Sequence, residues 1–171
     1  RWILGTVAER LLREAQQPLF LLHRGALPEA THAVEGHFRR ILAPIDGSEI
    51  GATVLPLVSA LARLYESEVV LFHAAPAAEA TTALDEEAIA SPNRHRKELE
   101  ALGLRARVEM CTESPAIAIL DAAESEEVDL VAMTAHGRSG SARWAFGSVA
   151  EKVLRHAPCP ILVKRGAGRV E

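Results

Sequence analysis

The sequence predicts an α/β protein with an open parallel sheet and helices on both faces. Three observations carry this. Apolar runs of strand length alternate with longer segments of helical character along most of the chain. The runs VVLF and VDLVAM are continuously apolar, as expected of strands covered on both faces. One of them opens into a glycine-rich stretch, MTAHGRSG, ahead of an amphipathic segment, VAEKVLRHA.

The elements follow in order. Arg40–Ile45 reads as a short strand, with Pro44 limiting its far end. Asp46-Gly47-Ser48 is a turn. Glu49 leads a helix to Tyr65, kinked by Pro56. Glu68–Ala74 is a buried strand. The stretch 75–90 has no clear period and reads as a connection. Ser91-Pro92 reads as an N-cap with proline at the first helical position, and Gly103 ends that helix. Arg105–Cys111 alternates apolar and charged residues, as near a sheet edge. Ser114-Pro115 opens a further helix. Val128–Thr134 is the fourth strand, and Pro160–Val163 the last. Between them Ser148 reads as an N-cap, with Glu151 completing a capping box.

These five strands, in the order 3-2-1-4-5, would place Asp46 and the glycine-rich loop on either side of one crevice beyond their carboxyl ends. Backbone N–H groups of such a loop, together with a helix N-terminus, suit an anion such as a phosphate. The same residues also suit an ordinary cap and ordinary turns.

The chain contains a repeat of itself. WILGTVAERLLREAQQPLFLL from Trp2 aligns with WAFGSVAEKVLRHAPCPILVK from Trp144, an offset of 142 residues. Gly5, Val7, Ala8, Glu9, Leu12, Arg13, Ala15 and Pro18 find identical counterparts. The expected organisation is therefore residues 1–24 as the C-terminal helix and strand of a preceding, truncated copy. A linker follows over 25–37, then a complete domain over 38–166.

Composition narrows the classes. The 171 residues are 49% hydrophobic and 25% charged but only 4% aromatic, so the core is aliphatic. A net charge of −4 argues against a general nucleic-acid binder. No apolar run is long enough to span a bilayer. Cys111 and Cys159 are the only cysteines. Both lie in apolar surroundings, as expected of reduced thiols in a cytoplasmic protein.

LAPIDGSE, VDLVAMTAHGRSG and FGSVAEKVLRHAPCPILVKR together resemble the universal stress protein family, from about Phe38 to Arg165. The resemblance implies a Rossmann-like nucleotide-binding architecture. It also implies an adenine-nucleotide-binding regulatory module of the stress response, acting through conformational change and dimer-type pairing. The ligand implied is ATP, with Mg²⁺ accompanying it. Pro44, Ile45 and Asp46 would hold the adenosine, and His73 would line the adenine pocket. Thr134, His136, Gly137, Arg138 and Gly140 would wrap the phosphates, and Gly147, Ser148 and Val149 would hold their far end. The family's phosphate pattern is Gly, two residues, Gly, nine residues, then Gly-Ser or Gly-Thr. Here nine residues separate Gly137 from Gly147-Ser148, but Thr134 stands in place of the first glycine.

Other readings stay open on the residues alone. Asp46 suits a helix-capping turn, Arg138 a solvated charge, and His73 and His136 packed or surface histidines. A slow ATPase is one alternative, although no Walker lysine or Ser-His-Asp set is present. Another is a pairing module whose nucleotide site has decayed. The family commonly pairs its last strands antiparallel. Here Pro18–Leu22 would lie along Pro160–Val163, or the last strand would form a homodimer.

Overall fold

The computed structural model describes residues 10–12, 14–15, 17–22, 38–74, 83–135 and 147–165. Its strands are β1 (Leu19–Leu21), β2 (Arg40–Pro44), β3 (Glu68–Ala74), β4 (Arg105–Cys111), β5 (Leu130–Thr134) and β6 (Ile161–Lys164). Its helices are α1 (Glu49–Ala52), α2 (Leu55–Tyr65), α3 (Ala83–Ala101), α4 (Pro115–Ser125) and α5 (Ser148–His156).

The six strands form one sheet in the order β1-β6-β5-β2-β3-β4. Strands β2 to β6 are parallel and occupy the expected 3-2-1-4-5 positions. The expected sheet of five strands is extended by a sixth. β1 pairs antiparallel with β6, Leu19 opposite Val163, Phe20 opposite Leu162 and Leu21 opposite Ile161. The edge of β6 is thereby covered by the first copy of the repeated motif.

Side chains alternate across the sheet and build two cores. Leu42, Val70, Phe72, Val131, Met133, Ile161 and Val163 face α4, α5 and Leu12. Ile41, Ala43, Val69, Leu71, Leu130, Ala132 and Leu162 face the other side, with Val54, Leu55, Val58 and Ala62 and with Leu99 of α3. This two-sided burial is why the strands read as continuous apolar runs. Among the described residues no helix is long and apolar enough to cross a membrane.

Three helix boundaries depart from the sequence reading. Pro56 breaks rather than kinks: α1 ends at Ala52, and α2 starts at Leu55 with Pro56 in its first turn, where the missing N–H costs no bond. The helix expected from Pro92 begins at Ala83 and runs through the proline. The stretch 83–90 is rich in Ala, Leu and Glu, so helix propensity outweighs the loss at one proline. Gly147, not Ser148, is the N-cap of α5. Gly147 is extended, with φ −68° and ψ 155°, and its carbonyl accepts the first helical bond from Glu151 N at 2.9 Å. Ser148 is thus the first helical residue rather than the cap. Glu151 instead accepts from Arg155 one turn on, at 2.7 Å.

The amino ends of the strands are closed by their own charges. Asp129 Oδ2 accepts the Arg39 and Arg40 backbone N–H groups at 2.8 and 2.9 Å. Arg40 and Arg107 share Glu68 at 3.1 and 3.3 Å, and Arg107 also pairs with Glu126. That end of the sheet has its polar groups satisfied from within, which directs attention to the opposite end.

Candidate functional site

At the carboxyl end of β2 the chain continues as Ile45-Asp46-Gly47-Ser48. Ile45 N donates to Phe72 O at 2.9 Å, so Ile45 still runs alongside β3. Gly47 then takes φ 79°, the left-handed conformation that turns the chain into α1. Asp46 Oδ1 accepts from Ser48 N at 3.0 Å and from Ser48 Oγ at 2.6 Å. Ser48 Oγ accepts in turn from Gly51 N at 3.0 Å, capping α1. A methyl at Gly51 would come within 2.4 Å of Asp46 Oδ1, so glycine is required for this packing. The turn-forming role read for Asp46 is therefore present through that oxygen.

His73 sits one residue before the end of β3 and is 3% exposed. Its Nδ1 lies 2.9 Å from the carbonyl of Ile45. A carbonyl only accepts, so Nδ1 carries the proton, and in the neutral ring Nε2 is an acceptor. Nε2 is buried and has no hydrogen-bond partner among the described residues. An unmet buried polar atom costs about 1–3 kcal/mol. Pro44, Ile45, Asp46 and His73 are thus brought together, with Ile45 O as the link.

On the other side of β2 lies β5, whose last residue, Thr134, is buried. Ala135 N donates to Lys164 O at 2.8 Å, and Gly147 N donates to Ala135 O at 2.9 Å. The start of α5 is thereby held beside the end of β5. Among the described residues, a methyl at Gly147 would meet only Ala135 O, at an ordinary 3.7 Å. Ser148 is exposed and Val149 half-buried against the α4–α5 side of the core. The first turn of α5 directs its backbone N–H groups, and the positive end of the helix dipole, toward this same edge of the sheet. His136, Gly137, Arg138 and Gly140 lie outside the described residues.

One contact at this edge was not foreseen. Lys164 Nζ donates to Thr53 O at 2.5 Å, joining the last strand to the break between α1 and α2. Only the break that Pro56 causes leaves a carbonyl there to accept. Cys159 packs in the core just ahead of β6, and burial pushes its thiol from 9.0 up to about 12. It is an inert packing group rather than a nucleophile.

Residues 37–165 match the family model described as the universal stress protein family. This chain belongs to the universal stress protein family. Universal stress protein MJ0531 of Methanocaldococcus jannaschii is 29% identical over 141 residues, covering 75% of this chain and 83% of the relative. The solved structure of MJ0577 superposes with a TM-score of 0.69 at 30% identity, covering 77% of this chain and 98% of that one. A universal stress protein from Archaeoglobus fulgidus superposes with a TM-score of 0.72 at 23% identity. It covers 96% of this chain, while this chain covers only 55% of it. Two further structures share the fold at 16% and 21% identity, with TM-scores of 0.63 and 0.59. They are universal stress proteins in complex with cAMP and with dAMP, the latter from Archaeoglobus fulgidus. These cover 77% and 74% of this chain and 98% and 97% of their own.

Proposed function

We propose that this universal stress protein is an adenine-nucleotide-binding regulatory module, taking ATP with Mg²⁺ at the carboxyl ends of β2, β3 and β5. The observation that carries the reading is Gly147. It caps α5 beside the end of β5, and neither its φ nor its neighbours among the described residues require a glycine. A small residue at that place suits close approach of a ligand, and the N-terminus of α5 suits a phosphate. The unpartnered Nε2 of His73 adds an acceptor at the same edge. The family members in complex with cAMP and dAMP support an adenine nucleotide as the ligand class. The output is a change in shape or in strand pairing. The domain unit is residues 38–166, with 1–24 as the end of a preceding repeat and 25–37 as linker. A cytoplasmic setting follows from the ligand.

The test is calorimetric titration of Mg-ATP into the chain, Gly147→Ala and Gly147→Val. The expected result is saturable binding of one nucleotide per chain, weakened about tenfold by Ala and lost with Val. The two variants should still fold, losing about 0.5–2 kcal/mol for the poorer helix cap. Binding that survives Gly147→Val would remove the phosphates from this helix terminus. No binding by the parent would favour a second reading, a pairing module without ligand. Two observations support that alternative: Thr134 in place of the pattern's first glycine, and the β1–β6 pairing.

A further inference from the structure

Lys164 ends β6 and is bonded to both sides of the crevice. Its carbonyl accepts from Ala135 N at 2.8 Å, and Ala135 O accepts from Gly147 N at 2.9 Å, so its backbone holds the start of α5. Its ammonium donates to Thr53 O at 2.5 Å and so holds the junction of α1 and α2. In the sheet register Lys164 lies opposite Thr134, the last residue of β5. Leu162 and Ala132, two residues before them, face the α2 side of the sheet. The pleat carries Lys164 and Thr134 to that same face.

The ammonium meets a carbonyl that the helix ladder leaves open. In an unbroken helix Thr53 O would accept from Leu57 N. Here Leu57 N donates to Val54 O instead, at 3.0 Å. Lys164 supplies the donor that the break removes. α1 depends on such support, because it is a single turn of four residues, Glu49–Ala52, too short to hold itself. At its start Ser48 Oγ caps it and donates to Asp46 Oδ1. At its end Thr53 N and Thr53 Oγ1 return to Ile50 O at 3.1 and 2.7 Å. Asp46 is therefore tied through one helical turn to Thr53, and through Thr53 to Lys164.

We propose that Lys164 is a positioning residue for the nucleotide: it sets the separation between the Asp46 turn, on one side of the crevice, and the N-terminus of α5, on the other. The inference rests on the adenine-nucleotide reading of this crevice and names the residue that fixes its geometry. A ligand held at both ends gains from both only when they stand at the distance it spans, and a displacement of about 1 Å is enough to forfeit one of them. Lysine suits the task. Its long apolar stem reaches from the strand to the helix junction, and a bond from a charged donor is stronger than one from a neutral group. Lys164 acts through α1 and needs no contact with the nucleotide.

The experiment compares the chain with Lys164→Met, which keeps the stem and removes the donor, and with Lys164→Arg, which restores a charged donor. Amide hydrogen exchange is followed without ligand, and Mg-ATP and adenosine are titrated calorimetrically. Without ligand, Lys164→Met should speed exchange of the Gly51 and Ala52 amides about tenfold and leave Val131 in β5 unchanged. It should weaken Mg-ATP about tenfold, and adenosine, which engages the Asp46 side alone, by less than about twofold. Lys164→Arg should bring both exchange and Mg-ATP affinity back to within about threefold of the parent. Unchanged exchange at Gly51 and Ala52 overturns the proposal, because α1 then stands without Lys164. If exchange is unmoved while Mg-ATP alone is weakened, Lys164 is a phosphate ligand instead. Equal weakening of Mg-ATP and adenosine also overturns it, since Lys164 would then serve the fold rather than the separation of the two sides. A parent that binds no nucleotide would end the ligand assignment and the positioning role together, and exchange would still show whether Lys164 holds α1.

Discussion

Residues 10–22 and 152–164 are two copies of one helix–strand motif, and they lie side by side in one sheet. Among the described residues, 10–12 and 14 are helical and Leu19–Leu21 form a strand, as their counterparts are and do, yet their burial differs. In the second copy Val153 and Leu162 are sealed beneath β5, α4 and α2, whereas in the first Leu11 and Phe20 face outward. Their surface ion pairs differ: Arg10 pairs with Glu14, whose counterparts are Lys152 and His156, whereas the second copy pairs Glu151 with Arg155. The periodicity of a segment dictates that it will be a helix with one apolar face. What that face contributes to stability depends on which neighbours arrive to cover it.

The sharpest way to break the comparison is to put a charge at equivalent positions. Val153→Glu buries an unpaired carboxylate between α5 and the sheet and should cost about 3–5 kcal/mol, enough to abolish cooperative unfolding. Leu11→Glu, at the matching position, should stay within about 0.5 kcal/mol. Urea titration followed by circular dichroism separates the two. Similar losses at both sites would mean that Leu11 is covered in solution and the comparison false.

A gentler form uses Phe20 and Leu162, which lie opposite each other in β1 and β6. Leu162→Ala removes a buried side chain from the core and should cost about 2–5 kcal/mol. Phe20→Ala removes a half-open ring whose recorded aromatic neighbour is Phe38, with centroids 5.7 Å apart. A tilted aromatic contact of that kind is worth about 0.5–1.5 kcal/mol, and the variant should lose about that much. The difference between the two losses measures the cover that the first copy lacks.

Much of this fold was legible because its signals were redundant. VDLVAM and EVVLFHA could only be strands buried on both faces, and proline-fronted LFLL and ILVK announced two short strands able to pair. Single-residue signals were less secure. Ser148 looked like the cap because serine caps well, but the extended backbone of Gly147 took that place, and a glycine can cap without any side chain. Pro92 looked like a helix start because proline often is one, and the stretch 83–90, six of whose eight residues are Ala, Leu or Glu, overrode that preference. At the site, Asp46 and His73 were legible as residue types, whereas their roles were not. The Asp46 turn depends on close packing against Gly51, and the His73 tautomer depends on a carbonyl 28 positions earlier. Neither partner can be identified from the spacing within one element.

The smallest effect concerns the loop between helix and strand, where Gln17 of the first copy stands at the position of Cys159 in the second. Gln17 is exposed, and Cys159 is buried with its thiol pushed up to about 12 by burial. A thiol that resists ionising in the folded protein favours folding only while the unfolded chain also keeps its proton. The contribution is therefore complete below the ordinary value of 9.0, and it is lost as pH rises from there toward about 12. In that window the unfolded chain binds fewer protons, so stability falls by up to about 1.4 kcal/mol per pH unit. At pH 10 the loss should reach about 1 kcal/mol, set against no change between pH 7 and 8. Cys159→Ala removes the ionising group and should flatten the alkaline limb of a stability–pH curve, even though its stability at pH 7 is lower. Gln17→Cys supplies the opposite control, since a thiol added at the exposed copy should leave that limb as steep as in the parent. Parallel alkaline limbs for the parent and Cys159→Ala would show that Cys159 is no better covered than its counterpart, and the contrast between the two copies would then stop short of this loop.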